Sequence, residues 1–201
     1  MSRTAIVLFN LGGPDSLVAV RPFLFNLFND PAIIRVPSLL RSMLAAWISR
    51  RRAPVAREIY GKMGNRSPIL PNTEAQARAL EQVLGGTIES SGAKAFIAMR
   101  YWHPMTAETV KAVKAYAPDQ VILLPLYPQF STTTTASSYQ LWGEEARRQG
   151  LSAPTRLVCC YPTEPGFVAA SSELVRQGLQ KAAADAPNAK KLVVLSAHGL
   201  P

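Results

Sequence analysis

The chain is 201 residues long, which is long for one compact domain and short for two, so one domain plus the start of another is expected. Hydrophobic residues at 48% and charged residues at 17% exclude a disordered or low-complexity protein. The 22 Lys and Arg against 13 Asp and Glu leave a formal charge of +9, which points to an anionic partner: nucleic acid, acidic lipid, or a small molecule bearing carboxylates or phosphates.

In chain order, the apolar run at 5–9 reads as a strand buried on both faces. Asp15 is placed to cap a helix whose Val20, Phe23, Leu24, Leu27 and Phe28 fall at helical spacing before Pro31 stops it. Residues 38–49 form the most regular amphipathic segment. Leu39, Leu40, Met43, Leu44, Trp47 and Ile48 make one stripe, and the polar face carries Arg41 and leads into Arg50, Arg51 and Arg52. Thr73 is expected to open a helix through Leu84, ended by Gly85 and Gly86. A strand at 95–99 follows, then a helix from Thr106 that stops before Pro118, a strand at 121–124, and a helix at 138–149. The run 155–159 reads as a strand, with Cys159 and Cys160 as buried thiols. A helix at 167–186 and a strand at 192–195 close the chain. Strands alternating with helices define an α/β protein with a parallel sheet.

Two adjacent cysteines cannot build a disulfide framework, and a reducing cytosolic compartment is the expectation. The apolar run 5–11 is too short for a signal-peptide core with its cleavage site, and no stretch approaches the ~20 residues of a membrane span. The sequence therefore reads as soluble, or at most resting on a membrane surface. Residues 6–14 and 193–201 echo each other: an apolar strand, then Gly and Pro at matching offsets, with Leu11 facing His198. Chance likeness of two βα turns and a duplicated α/β unit both account for this.

Open parallel sheets bind ligands beyond the carboxyl ends of their strands. Those ends here read Asn10-Leu11-Gly12-Gly13-Pro14, Arg100-Tyr101-Trp102-His103-Pro104, Leu126-Tyr127-Pro128-Gln129-Phe130-Ser131 with its threonine run, and Ser196-Ala197-His198-Gly199-Leu200-Pro201. Together they crowd aromatic, imidazole, guanidinium and hydroxyl groups into tight turns. Pro14 and the wrong glycine spacing exclude a dinucleotide loop, and no P-loop, nucleophile elbow or Cys-x-x-Cys occurs. The hydroxyls at 131–138 suit either an anion at a helix N-terminus or a solvated capped loop. His103 reads as a packed loop residue. His198, directly after an apolar strand, can ligate a metal or move a proton near neutral pH.

In order along nearly the whole chain, these phrases resemble those of bacterial ferrochelatases. The matches are 8–14; Arg51-Arg52-Ala53-Pro54 with Tyr60 and Ser67-Pro68-Ile69; 99–104; 126–131 with 134–138; and 196–201. The resemblance implies a Rossmann-like, chelatase-type fold. Residues 1–165 would be an N-terminal chelatase domain, and 166–201 the crossover helix and first strand of a second, similar domain. It also implies insertion of Fe²⁺, a substrate, into protoporphyrin IX to form protohaem, with no redox cofactor. His198 matches the family's active-site histidine, as catalytic base for pyrrole protons or as metal ligand. Arg51, Arg52, Tyr60 and Ser67 match positions holding the porphyrin, suitably through its propionates. Leu11 matches a residue at the porphyrin face, and Arg100, Tyr101 and Tyr127 match polar positions lining the pocket. Thr132 stands where the animal pattern has a cysteine, which argues against an iron–sulfur cluster from this portion.

A bent macrocycle, with its nitrogens exposed, is what such a site would favour over the flat substrate. The family pattern departs at Gly64-Asn65-Arg66, where many members carry three glycines. It also continues past the position of Pro201 into a domain bearing a carboxylate opposite the histidine, so the 201 residues alone are expected to bind porphyrin poorly and not to chelate. The basic excess is local. Residues 31–70 carry Arg35, Arg41, Arg50, Arg51, Arg52, Arg57, Lys62 and Arg66 against Glu58 alone. That patch suits porphyrin carboxylates and peripheral contact with an anionic inner membrane from the cytoplasm, with no nucleic-acid role. The competing expectation is an anion-, lipid- or nucleic-acid-binding α/β module without chelatase activity.

Overall fold

The computed structural model describes residues 2–87 and 92–195. Four strands, β1 (Arg3–Asn10), β2 (Gly92–Met99), β3 (Gln120–Pro125) and β4 (Thr155–Leu157), form one parallel sheet in the order β2-β1-β3-β4. Among the described residues the six α-helices are α1 (Val20–Phe28), α2 (Ser38–Lys62), α3 (Ile69–Thr87), α4 (Thr106–Tyr116), α5 (Ser137–Gln149) and α6 (Pro165–Asp185). The α/β parallel architecture expected from the alternation is the one found.

Central β1 explains the layers. Side chains alternate across a strand, so Ala5, Val7 and Phe9 point into a core with Val110, Val113, Val121, Leu123 and Trp142 from α4, β3 and α5. Ile6 and Leu8 point the other way, onto Ala77 of α3, with Leu80 and Leu84 packed around them. A third cluster lies past the strand ends, where Val20, Phe23 and Leu24 of α1 meet Ala53 of α2 and Tyr101. Trp142 is the largest fully buried side chain, and its ring centroid lies 6.0 Å from that of Phe9. Truncating it to alanine would cost about 3–5 kcal/mol.

Several boundaries differ from the sequence expectation. Asp15 does not cap α1; Ser16 Oγ accepts from the Ala19 amide at 3.3 Å, and Asp15 accepts from the Ser16 hydroxyl. Helix α3 starts before Thr73, at Ile69, with Ser67 Oγ accepting from the Ile69 amide, and it runs through Gly85. Thr73 is fully buried in its second turn. Helix α2 continues past Ser49 to Lys62 and contains Pro54.

Strand β4 stops at Leu157 because of its neighbour. Val121 donates to the Pro154 carbonyl and Val158 to that of Leu123. By the same spacing, the next donor to β4 would be the amide of Pro125, which has no N–H. Cys159 and Cys160 consequently lie exposed beyond the sheet, not buried in a strand. Residues 192–195 are likewise not a strand: no β-pairing is described for them, and Leu192, Val194 and Leu195 are 77–87% exposed. The second half of the 193–201 echo lies outside the described residues. No residue of α6 is buried.

Candidate functional site

The loops at the carboxyl ends of β1, β2 and β3 are tied together by backbone. Arg100 donates its amide to the Asn10 carbonyl (2.9 Å), Tyr101 to Leu11 (3.0 Å), and Leu126 to Phe9 (2.8 Å). Asn10 locks the turn from within. Its Oδ1 accepts from the Leu11 amide (2.8 Å), and its Nδ2 donates to Thr73 Oγ1 (3.0 Å), which in turn donates to the Ile69 carbonyl (2.7 Å). Gly12 has φ +83°, and a Cβ there would stand 3.0 Å from the Trp102 amide nitrogen. Leu11, Tyr60 and Trp102 pack around the α1/α2 cluster that contains Tyr101.

Arg51 and Arg52 lie exposed on α2, one turn beyond Trp47. The Arg51 guanidinium sits 5.4 Å from the Trp47 ring centroid and that of Arg52 5.6 Å from the Phe28 ring. Both are held by cation–π contacts, and neither pairs with a carboxylate among the described residues. With Ile48 they line an open cavity of about 450 Å³. Two cations over aromatic faces beside an apolar hollow suit an apolar ligand that carries carboxylates.

Helix α2 turns its small residues inward. Ala45, Ser49 and Ala53, four apart, are the buried ones, so α1 and α2 approach closely. This leaves Leu39, Met43 and Trp47 outside, 77, 64 and 59% exposed. Arg41, counted in the polar face, is half-buried and committed to structure. Its Nε donates to the Asn29 carbonyl (2.8 Å) and its Nη1 to that of Val36 (2.9 Å).

The β2 loop and the segment after α1 meet at a buried carboxylate that the sequence did not single out. Asp30, 4% exposed, pairs through Oδ2 with Arg100 Nη2 at 2.7 Å and accepts the Tyr101 hydroxyl at 2.7 Å. Tyr101 is itself 1% exposed, so it stands behind the surface, while Arg100 reaches it. Burial, and then the hydrogen bond to Asp30, push the Tyr101 phenol far above its ordinary pKa. The signal in the sequence was slight: one acid at the border of the basic segment. The Tyr127 hydroxyl is buried and has no hydrogen-bond partner among the described residues. Ser138 Oγ approaches it without reaching hydrogen-bond geometry. Burial raises the Tyr127 pKa to about 12, against the pull of Ser138 and Arg100.

After β3, residues Thr132–Ala136 form a π-helical turn, capped by Ser131 Oγ on the Thr133 amide (3.2 Å). Ser131, Thr135, Ser137 and Ser138 are buried, so this is no solvated loop. His103 is exposed and bonded to Glu108 through Nδ1 at 2.8 Å. Ser67 is half-buried against Gly13, its amide donating to the Pro14 carbonyl (2.8 Å). Leu11, Arg51, Arg52, Tyr60, Ser67, Arg100, Tyr101 and Tyr127 thus gather around one end of the sheet, on α2, the turn into α3 and three strand-end loops. His198 lies outside the described residues. Among the described residues no group of three His, Cys, Asp or Glu side chains could hold a metal ion, and no helix is long and apolar enough to cross a membrane.

A parallel α/β domain whose strand ends and one long helix present cations, phenols and apolar surface on one side has the architecture of a chelatase-type Rossmann-like domain. The family model for ferrochelatase matches residues 3–201, and the chain belongs to that family. It is 54% identical over 199 residues to the ferrochelatases of Phenylobacterium zucineum and Caulobacter vibrioides, and 45% identical to that of Pelagibacter ubique. Each alignment takes in 99% of this chain and 56% of the relative, so the chain spans little more than half the length of the proteins it matches.

Proposed function

We propose that the protein inserts Fe²⁺ into protoporphyrin IX, releasing two protons and forming protohaem. Fe²⁺ and the porphyrin are its substrates, and no redox cofactor is needed because the iron does not change oxidation state. The carrying observation is the pair Arg51 and Arg52, side by side on α2, each over an aromatic ring beside an apolar hollow. Two propionates at one edge of a flat apolar ring ask for such a rim. Tyr60 and Ser67 add hydroxyls, Leu11 offers an apolar contact to the macrocycle, and Arg100 presents the polar inner wall, backed by the buried hydroxyls of Tyr101 and Tyr127.

His198 supplies the basic group, either taking pyrrole protons or ligating the incoming ion. Residues 1–165 act as the N-terminal chelatase domain and 166–201 open a second, similar one. The unburied α6 supports that division. Insertion is accelerated by holding the ring out of plane, since a bent porphyrin exposes its nitrogen lone pairs.

The exposed Leu39, Met43 and Trp47, with Arg50 nearby, support peripheral contact with an anionic membrane by a cytoplasmic protein rather than a nucleic-acid role. Titrating the full-length protein into protoporphyrin IX and following the Soret band tests the function. A shift that is weakened roughly tenfold or more by Arg51→Ala/Arg52→Ala supports it. An unshifted Soret band, or a shift indifferent to both arginines, refutes it.

A further inference from the structure

We infer that Asp30 is a positioning residue for metal insertion, acting through Arg100; the inference rests on the chelatase reading above. Asp30 follows α1 and is far in sequence from the β2 loop, yet its carboxylate is the meeting point of that loop's polar groups. Oδ1 is spent on the Ala32 amide (2.8 Å), which fixes the carboxylate plane. Oδ2 takes both the Tyr101 hydroxyl and the Arg100 guanidinium, each at 2.7 Å.

With its side chain 2% exposed, Asp30 cannot be a group that meets ligand freely, whereas Arg100 is 16% exposed. Arg100 borders a cavity of about 520 Å³ whose edge also includes Asp30, Thr132, Ser137, Gln140 and Glu144, with the Asp30 side chain almost wholly covered. Its Nε points at Ser137 Oγ at a long 3.5 Å, and Nη1 has no hydrogen-bond partner among the described residues. Arg100 Cζ lies 5.2 Å from the Tyr101 ring centroid, a second restraint that Asp30 itself holds in place by fixing the Tyr101 hydroxyl.

A buried ion pair of this kind is poor value for stability, because desolvation of both charges offsets their attraction. Its use is geometric: one arginine is kept in one rotamer, with one face free. The companion charge also keeps the inner wall near neutral, so that an approaching Fe²⁺ is not met by an uncompensated cation.

The test uses full-length protein carrying Asp30→Asn, Asp30→Glu, Arg100→Met and the double variant Asp30→Asn/Arg100→Met. Asp30→Asn is expected to lower kcat about tenfold or more with porphyrin KM near the parent value, as misplacement of a site group does. Asp30→Glu should recover part of that loss. In the Arg100→Met background the Asn substitution should add little, because the two act as one unit. The Arg100 Nε–Hε resonance should shift or broaden in Asp30→Asn, and this readout needs neither porphyrin nor turnover. Equal losses in both backgrounds, or an unmoved Arg100 resonance, overturn the inference. If Asp30→Asn does not fold, Asp30→Glu and that resonance decide it. If the parent protein fails to shift the Soret band, the chelatase reading fails, and the resonance alone then judges whether Asp30 positions Arg100.

Discussion

Gly13 and Ser67 are in contact because Gly13 has no side chain: a Cβ on Gly13 would lie 2.5 Å from Ser67 Oγ and 2.6 Å from its Cβ. The turn after β1 and the start of α3 are thereby pressed together, with the Ser67 amide on the Pro14 carbonyl. The hydroxyl proposed to meet the porphyrin is placed by a missing methyl group.

Gly13→Ala should therefore destabilise by about 1–3 kcal/mol, through overpacking against a helix start. It should also weaken porphyrin binding, because Ser67 must move. Gly143, inside α5 with nothing within 4 Å of its Cβ position, is the control. Alanine there should stabilise by about 0.5–1 kcal/mol. Urea denaturation of both variants is the measurement, and equal midpoints would contradict the contact.

Tyr127→Phe removes a buried hydroxyl that has no partner among the described residues. The folded state should lose nothing and gain up to about 1 kcal/mol. If metal insertion nevertheless falls, the hydroxyl is kept for the reaction and not for the fold. A clear loss of stability would mean that the hydroxyl is satisfied in the folded protein.

Alkaline pH should unfold the protein through its tyrosines. Tyr101 and Tyr127 both have pKa values raised in the fold, Tyr127 to about 12, against about 10 in an unfolded chain. Between those values the native state holds more protons than the unfolded one, so unfolding free energy falls as pH rises. Their contribution is complete below pH 10 and declines above it, by roughly 1.4 kcal/mol per pH unit for each tyrosine. Denaturation midpoints from pH 9 to 11.5 read this directly. A flat profile for the parent, or one unchanged in Tyr127→Phe, would exclude it.

Leu39→Ser/Met43→Ser should leave stability within about 0.5 kcal/mol, since both side chains already face outward. Sedimentation with phosphatidylglycerol vesicles should nonetheless drop. Arg50→Glu should act the same way. Arg41→Glu is expected to fail differently, by loosening the α1–α2 connection whose Asn29 and Val36 carbonyls it satisfies. Vesicle pelleting that is unchanged in the serine variant would remove the membrane proposal.

The parallel α/β class, the three long strands and the loops that build the site were legible in the amino-acid order alone. Four- to six-residue apolar runs and helical spacing are local signals, and the family phrases sit where those runs end. What the order of residues left open was decided by partners distant along the chain. The end of β4, and with it the exposure of Cys159 and Cys160, depends on Pro125 of the neighbouring strand. Which face of α2 turns inward depended on the close approach of α1 to Ala45, Ser49 and Ala53, and not on where the large apolar residues lie. Asp30 meets Tyr101 across 71 positions, and no local pattern marks a carboxylate for burial there. Periodicity reports what a segment can bury, whereas only the packed chain settles which polar groups leave water together, because that cost is met by specific contacts in space.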